Sequence, residues 1–175
     1  MGCDIHMHIE YFDTCYKDKR KPIKKWRCAD WFRLNEYYGK KGELKYKQVP
    51  LYEDRNYKLF ALLADVRNSS NIEPISEPRG IPFNVSDEVL KDYKRWGDDA
   101  HSASYLTLQE LTDFVNNKQG SSRDVLFHTS IYCLINLIDD IKDHVESDGF
   151  IYDCDDIELG FHTLNDVRIV FWFDN

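Results

Sequence analysis

The chain reads as a single α+β domain over residues 1–175: a small mixed sheet that includes the first and last segments, packed by four helices. Three observations lead there. Residues 3–12 alternate between polar and apolar types, the period-two signature of a half-buried strand. Ile169-Val170-Phe171-Trp172-Phe173 is continuously apolar, as in a strand buried on both faces. Between them, four segments carry apolar residues at helical spacing with capping residues at their ends. Strands first, helices next and a strand last is an α+β order.

The first strand runs from Cys3 to Phe12, with Cys3, Ile5, Met7, Ile9 and Tyr11 on an apolar face. Lys17 to Pro22 is a turn, Ile23 to Phe32 a possible partner strand, Gly39 to Gly42 a second turn, and Leu44 to Val49 an exposed strand. Asp54 is the expected N-cap of a helix bearing Tyr57, Phe60, Ala61 and Ala64. Arg67 to Asn71 has loop chemistry, and Glu73 to Pro82, with three prolines and a glycine, is ordered but irregular. Ser86 opens a helix with Val89, Leu90, Tyr93 and Trp96 inward, which Gly97 closes. Thr107 and Glu110 form a capping box for a third helix with Leu108, Leu111, Phe114 and Val115. Ser121 and Asp124 open the longest helix, whose stripe is Ile131, Leu134, Ile138, Ile141 and Val145, with Gly149 after its end.

Composition narrows the partners. Hydrophobic residues make up 42 % of the 175 residues and the net charge is −8, which suits a globular chain and disfavours general nucleic-acid binding. The basic run Lys17–Lys47 and the acidic run Asp139–Glu158 read as solvated surface. Asp4 and His6 interrupt any signal-peptide core, and no stretch is long enough to span a membrane. Five widely spaced cysteines without a C-x-x-C pair suggest reduced thiols and a cytoplasmic setting.

The polar face of the first strand carries the sharpest functional signal. Asp4, His6, His8 and Glu10 share it, and all four are residues that ligate metals or move protons. Histidines at i and i+2 lie roughly 7 Å apart at Cα, so both imidazoles can reach one ion. The segment Trp96 to Tyr105 adds Asp98, Asp99, His101 and Ser102 ahead of a helix N-terminus, a place suited to anions. The expected metal ligands are Asp4, His6, His8 and His101, a set suited to Zn, Mn or Fe. Asp98, Asp99 or Glu10 is the expected general base. Arg67, Arg79 and Ser102 are the expected substrate contacts, Arg79 being held on stiff backbone between Pro78 and Gly80. His128 and His144 read as structural, and Asp153 to Glu158 as a solvated acidic loop.

Several of these motifs occur together elsewhere. Met1-Gly2-Cys3-Asp4-Ile5-His6, Pro78-Arg79-Gly80-Ile81-Pro82, Trp96-Gly97 with His101-Ser102, and Val170-Phe171-Trp172-Phe173-Asp174-Asn175 resemble a group of small bacterial and bacteriophage proteins. The resemblance implies a bacterial or phage cytoplasmic origin and brings no activity with it. The Asp-x-His-x-His run is similar to the first-strand ligand motif of amidohydrolase-type and PHP-type enzymes. Their (β/α) barrel is longer than this chain, so their fold is not implied.

Two functional expectations result. One is a small metal-dependent hydrolase of a phosphoester or nucleotide-like substrate, with water activated on the ion. The other is a non-catalytic phage accessory protein that binds a host protein or a nucleotide signal through Arg67, Arg79, the Trp96 loop and surface aromatics such as Trp26, Trp31, Tyr37 and Tyr38.

Overall fold

The computed structural model describes residues 2–13, 24–34, 46–118, 125–147 and 163–175. Strand β1 (Asp4–Asp13) is succeeded by β2 (Lys25–Cys28), β3 (Trp31–Leu34) and β4 (Tyr46–Val49). Helices α1 (Tyr57–Ala64) and α2 (Asp87–Trp96), strand β5 (His101–Thr107), helices α3 (Leu108–Lys118) and α4 (Val125–Ser147), and strand β6 (Val167–Asp174) complete the α+β chain. Four strands form one sheet in the order β2-β1-β6-β5, and β3 and β4 pair separately. The mixed sheet expected from the sequence is antiparallel in each of these pairings.

The two ends of the chain build the middle of the sheet. β1 and β6 pair from Asp4↔Asp174 to Tyr11↔Val167, and the seven residues from Val167 to Phe173 are buried. Both faces of β6 are covered, which is why its apolar run is continuous. Strand alternation sends Cys3, Ile5, Met7 and Ile9, with Ile169, Phe171 and Phe173 opposite them, into the main core. That core holds Leu59 to Ala64 of α1, Leu108 and Leu111 of α3, and Leu134, Ile138, Ile141 and Val145 of α4. Phe60 and Phe171 each meet Phe173 edge-on, at 5.1 and 5.9 Å, a geometry that adds about 0.5–1.5 kcal/mol per pair beyond area burial.

The second face is smaller and lies under α2, where Val89, Val170 and Trp172 are buried with Tyr93 and Trp96 against them. β1 turns His6, His8 and Glu10 toward this side, opposite Trp172, Val170 and Arg168.

Local chemistry explains most boundaries. The expected box at α3 is present: Glu110 N–H donates to Thr107 Oγ1 at 3.1 Å, and Thr107 N–H to Glu110 Oε2 at 2.8 Å. The α1 cap is Asn56 rather than Asp54, because Asn56 Oδ1 accepts from both Lys58 and Leu59 N–H groups. Gly97 closes α2 with φ +53, which suits glycine. The Trp96–Tyr105 segment differs from its expected loop form. Only Gly97–Asp99 forms a short 3₁₀ turn, and from His101 the chain pairs with β6 across a register shift between His101 and Ser104. The alternation of Ser104, Tyr105 and Leu106 about β6 was hidden by the polar residues before it. The turns at 17–22 and 39–42, the opening of α4 at 121–124, Gly149 and the 153–158 run lie outside the described residues. So do Tyr37 and Tyr38.

Candidate functional site

β1, β6 and α2 bring His6 and His8 together with groups that their sequence positions do not connect. His8 is almost fully buried, and its Nδ1–H donates to Asp30 Oδ2 at 2.6 Å. Asp30 is itself buried and accepts from Ile9 N–H at 2.8 Å and from Gln48 Nε2 at 2.6 Å. Gln48 Nε2 also lies 3.1 Å from Cys28 Sγ. On the other edge of the ring, His8 Nε2 faces Asp92 Oδ2 of α2 at 3.4 Å. Burial alone would lower the His8 pKa, but the two carboxylates outweigh it and raise it to about 9. His8 is therefore an imidazolium at neutral pH, and its charge lowers the pKa of Asp92.

His6 has the opposite environment. Its ring lies 3.9 Å from that of Trp96 and 5.7 Å from that of Trp172. Burial lowers its pKa, and Asp174 and Asp92 do not make up the difference. Its Nε2 is 3.7 Å from Asp174 Oδ2, too far for a hydrogen bond. The indole of Trp172 is in ring contact with both imidazoles. His6 Nε2, His8 Nε2 and Trp172 Nε1 are buried with no hydrogen-bond partner among the described residues. His8 Nε2 still has the Asp92 carboxylate beside it, so the cost of an unsatisfied buried atom, about 1–3 kcal/mol each, falls on His6 Nε2 and Trp172 Nε1.

The remaining expected residues are spread over other surroundings. Asp4 forms a bidentate pair with Arg55, both contacts 2.7 Å, and the guanidinium lowers its pKa. Its backbone N–H donates to Asp174 Oδ1 at 3.2 Å, which ties it to the edge of the His6 site. Glu10 is fully buried and paired with Arg168 at 2.6 Å. Asp98 and Asp99 are exposed on the 3₁₀ turn.

His101 pairs with Phe173, whose β1 partner is Ile5, so it belongs to the opposite face from His6. Its ring stacks near Phe173 at 6.0 Å and its Nδ1 contacts Ser102 Oγ at 3.1 Å. Asp4, His6, His8 and His101 are thus not gathered at one point. Among the described residues no group of three His, Cys, Asp or Glu side chains forms an ion site.

Arg79 pairs with Glu110 at 2.8 Å, and Arg67 Nη2 reaches Asn175 Oδ1 at 3.1 Å. Ser102 and Arg67 both have positive φ, +50 and +55. His144 donates through Nε2 to Ala29 O at 2.6 Å, the structural role expected of it. Of the expected surface aromatics, Trp26 instead carries the Arg168 guanidinium at 3.9 Å, and Trp31 is partly exposed.

Asp30, Asp92 and Asp174 were missed in the sequence. Asp92 sits three residues after buried Val89 and beside Tyr93, so helical spacing places it on the inward edge of α2. Asp174 continues the alternation of Val170 and Trp172. Asp30 lies just past β2 and carries no local signal.

No family model, no curated protein and no solved structure matches the chain. No helix among the described residues is long and apolar enough to cross a membrane.

Proposed function

We propose that the chain is a small hydrolase of a phosphoester or nucleotide-like substrate, with His6 as the base that deprotonates water. The observation that carries this reading is the pair of adjacent imidazoles whose Nε2 atoms lack hydrogen-bond partners among the described residues while carboxylates face them. Two titratable groups pushed in opposite directions is the usual mark of divided acid–base roles. Neutral His6 accepts the proton of a water molecule at Nε2, the hydroxide attacks phosphorus, and the proton returns to the leaving oxygen. Asp174 faces the imidazolium that forms. His8 stays charged and keeps Asp92 ionised. Of the carboxylates that face the two imidazoles, Asp92 and Asp174 are partly exposed, at 27 % and 21 % of their side chains. Two guanidinium groups of a kind suited to an anion lie nearby: Arg95 reaches Asp92 at 3.3 Å, and Arg55 holds Asp4, whose N–H donates to Asp174.

The test is turnover of bis(p-nitrophenyl) phosphate and p-nitrophenyl phosphate by the wild type and by His6→Ala, with chelator and with added Zn, Mn or Fe(II). Turnover should survive chelation and fall about 10²–10⁴-fold in His6→Ala. Turnover only with an added ion would assign water activation to the metal and overturn the role given to His6. No turnover under any condition would overturn the hydrolase and favour the non-catalytic binding protein.

A further inference from the structure

Glu10 belongs by alternation to the same face as His6 and His8, yet it is locked away from them. Both of its carboxylate oxygens are engaged. Oε2 accepts from Arg168 Nε at 2.7 Å, and Oε1 accepts from Ser86 N–H at 2.6 Å. Ser86 is the N-cap of α2, but its own side chain makes no capping bond. The Glu10 carboxylate, arriving from β1, accepts instead from the N–H of the N-cap residue itself, the group an N3 side chain meets in a capping box, at a helix N-terminus where negative charge is favoured. Arg168 completes the arrangement by donating to Asn84 Oδ1 at 3.0 Å and to Asn84 O at 3.3 Å, and its guanidinium lies over Trp26 at 3.9 Å. Two side chains from neighbouring strands thus fix residues 84–86 and the start of α2.

A buried ion pair is a poor way to gain stability, since apolar residues of similar volume often do as well or better. Its distinctive property is direction, and the far end of α2 carries the groups that this direction governs. Asp92 lies six residues past Ser86 and faces His8 Nε2, and Trp96, at the end of the same helix, stacks on His6. Val89 is the one fully buried α2 residue, and Tyr93 and Trp96 add their packing in the second half of the helix, so the polar contacts of Glu10 and Arg168 act on the end that packing holds least.

We propose that the Glu10–Arg168 pair is a positioning device that seats the N-terminus of α2 and thereby sets where Asp92 and Trp96 meet His8 and His6. The inference rests on the His6–His8 face being the working site, but its test does not use turnover. Ser86→Pro deletes the N–H from which Glu10 accepts, together with a hydroxyl that has no hydrogen-bond partner among the described residues, and Ser86 φ of −63 already suits proline. Glu10→Leu/Arg168→Leu replaces the pair by apolar volume.

The readout is the set of NOE cross-peaks between the Trp96 indole and the His6 imidazole, with amide exchange in β1 and β6 reporting the fold. Both variants should keep the exchange protection of the sheet and lose those cross-peaks. Cross-peaks intact in a folded Ser86→Pro variant would overturn the proposal, as would global unfolding of both variants, which would make the pair a support of the whole fold. Failure of the wild type to hydrolyse any ester would bear on the proposed reaction and leave this outcome unchanged.

Discussion

The two faces of the β2-β1-β6-β5 sheet are made by alternate residues of the same strands and are built to different ends. On one face, Ile5, Met7, Ile9, Phe171 and Phe173 meet three helices in a continuous apolar core. On the other, one helix covers His6, His8, Glu10, Trp172 and Arg168, and three buried nitrogens lack partners among the described residues. The first face takes in little polar surface, chiefly Ser104 and His101, whose Nε2 has no hydrogen-bond partner among the described residues. The second gathers His6, His8, Glu10 and Arg168 around Trp172 in a much smaller core, and the difference separates an apolar face from one that collects titratable groups.

Substitutions on the two faces should separate cleanly. Phe171→Ala removes a fully buried ring from the main core and should lower the unfolding free energy by about 3–5 kcal/mol in urea titrations. His6→Ala, on a partly exposed side chain with no hydrogen bond at Nε2 among the described residues, should cost far less in the same measurement. Equal losses would break the contrast between the faces.

The next effect is pH-dependent. His8 has a folded pKa of about 9 against an unfolded value of 6.5. The stability it contributes is fully present below pH 6.5 and is lost as pH rises through about 9. The loss is on the order of 3 kcal/mol. His6 is shifted down, so it works in the other direction: stability falls on acidification below 6.5, where the unfolded chain binds a proton more readily than the native one. Urea midpoints measured from about pH 5 to 10 should decline on the alkaline side, and Asp30→Asn should weaken that decline. The smallest effect belongs to Asp4→Asn. Its pair with Arg55 is exposed, so the thermal midpoint should shift little.

Much of the fold was legible because apolar spacing reports directly on which face a residue takes. β1, β6, the α3 capping box and the α4 stripe follow from period and caps alone. β5 was not legible, since His101, Ser102 and Ser104 look like loop chemistry and gain their strand form only by pairing with β6. The site was half legible. The alternation of β1 marked His6 and His8, but it marked Asp4 and Glu10 equally, and nothing local distinguishes a histidine facing Asp92 from a glutamate sealed by Arg168. The carboxylates that tune the imidazoles come from β6, α2 and the segment after β2, and tertiary contacts of that kind leave no spacing to read.

The two imidazoles of this face are held in opposite states, His8 charged and His6 neutral. The most direct test is an NMR titration of the imidazole nitrogens of the folded protein from about pH 4 to 10. The expected result is a His8 midpoint near 9, with both of its nitrogens protonated at neutral pH, and a His6 midpoint below 6.5. Both histidines titrating together near 6.5 would contradict it.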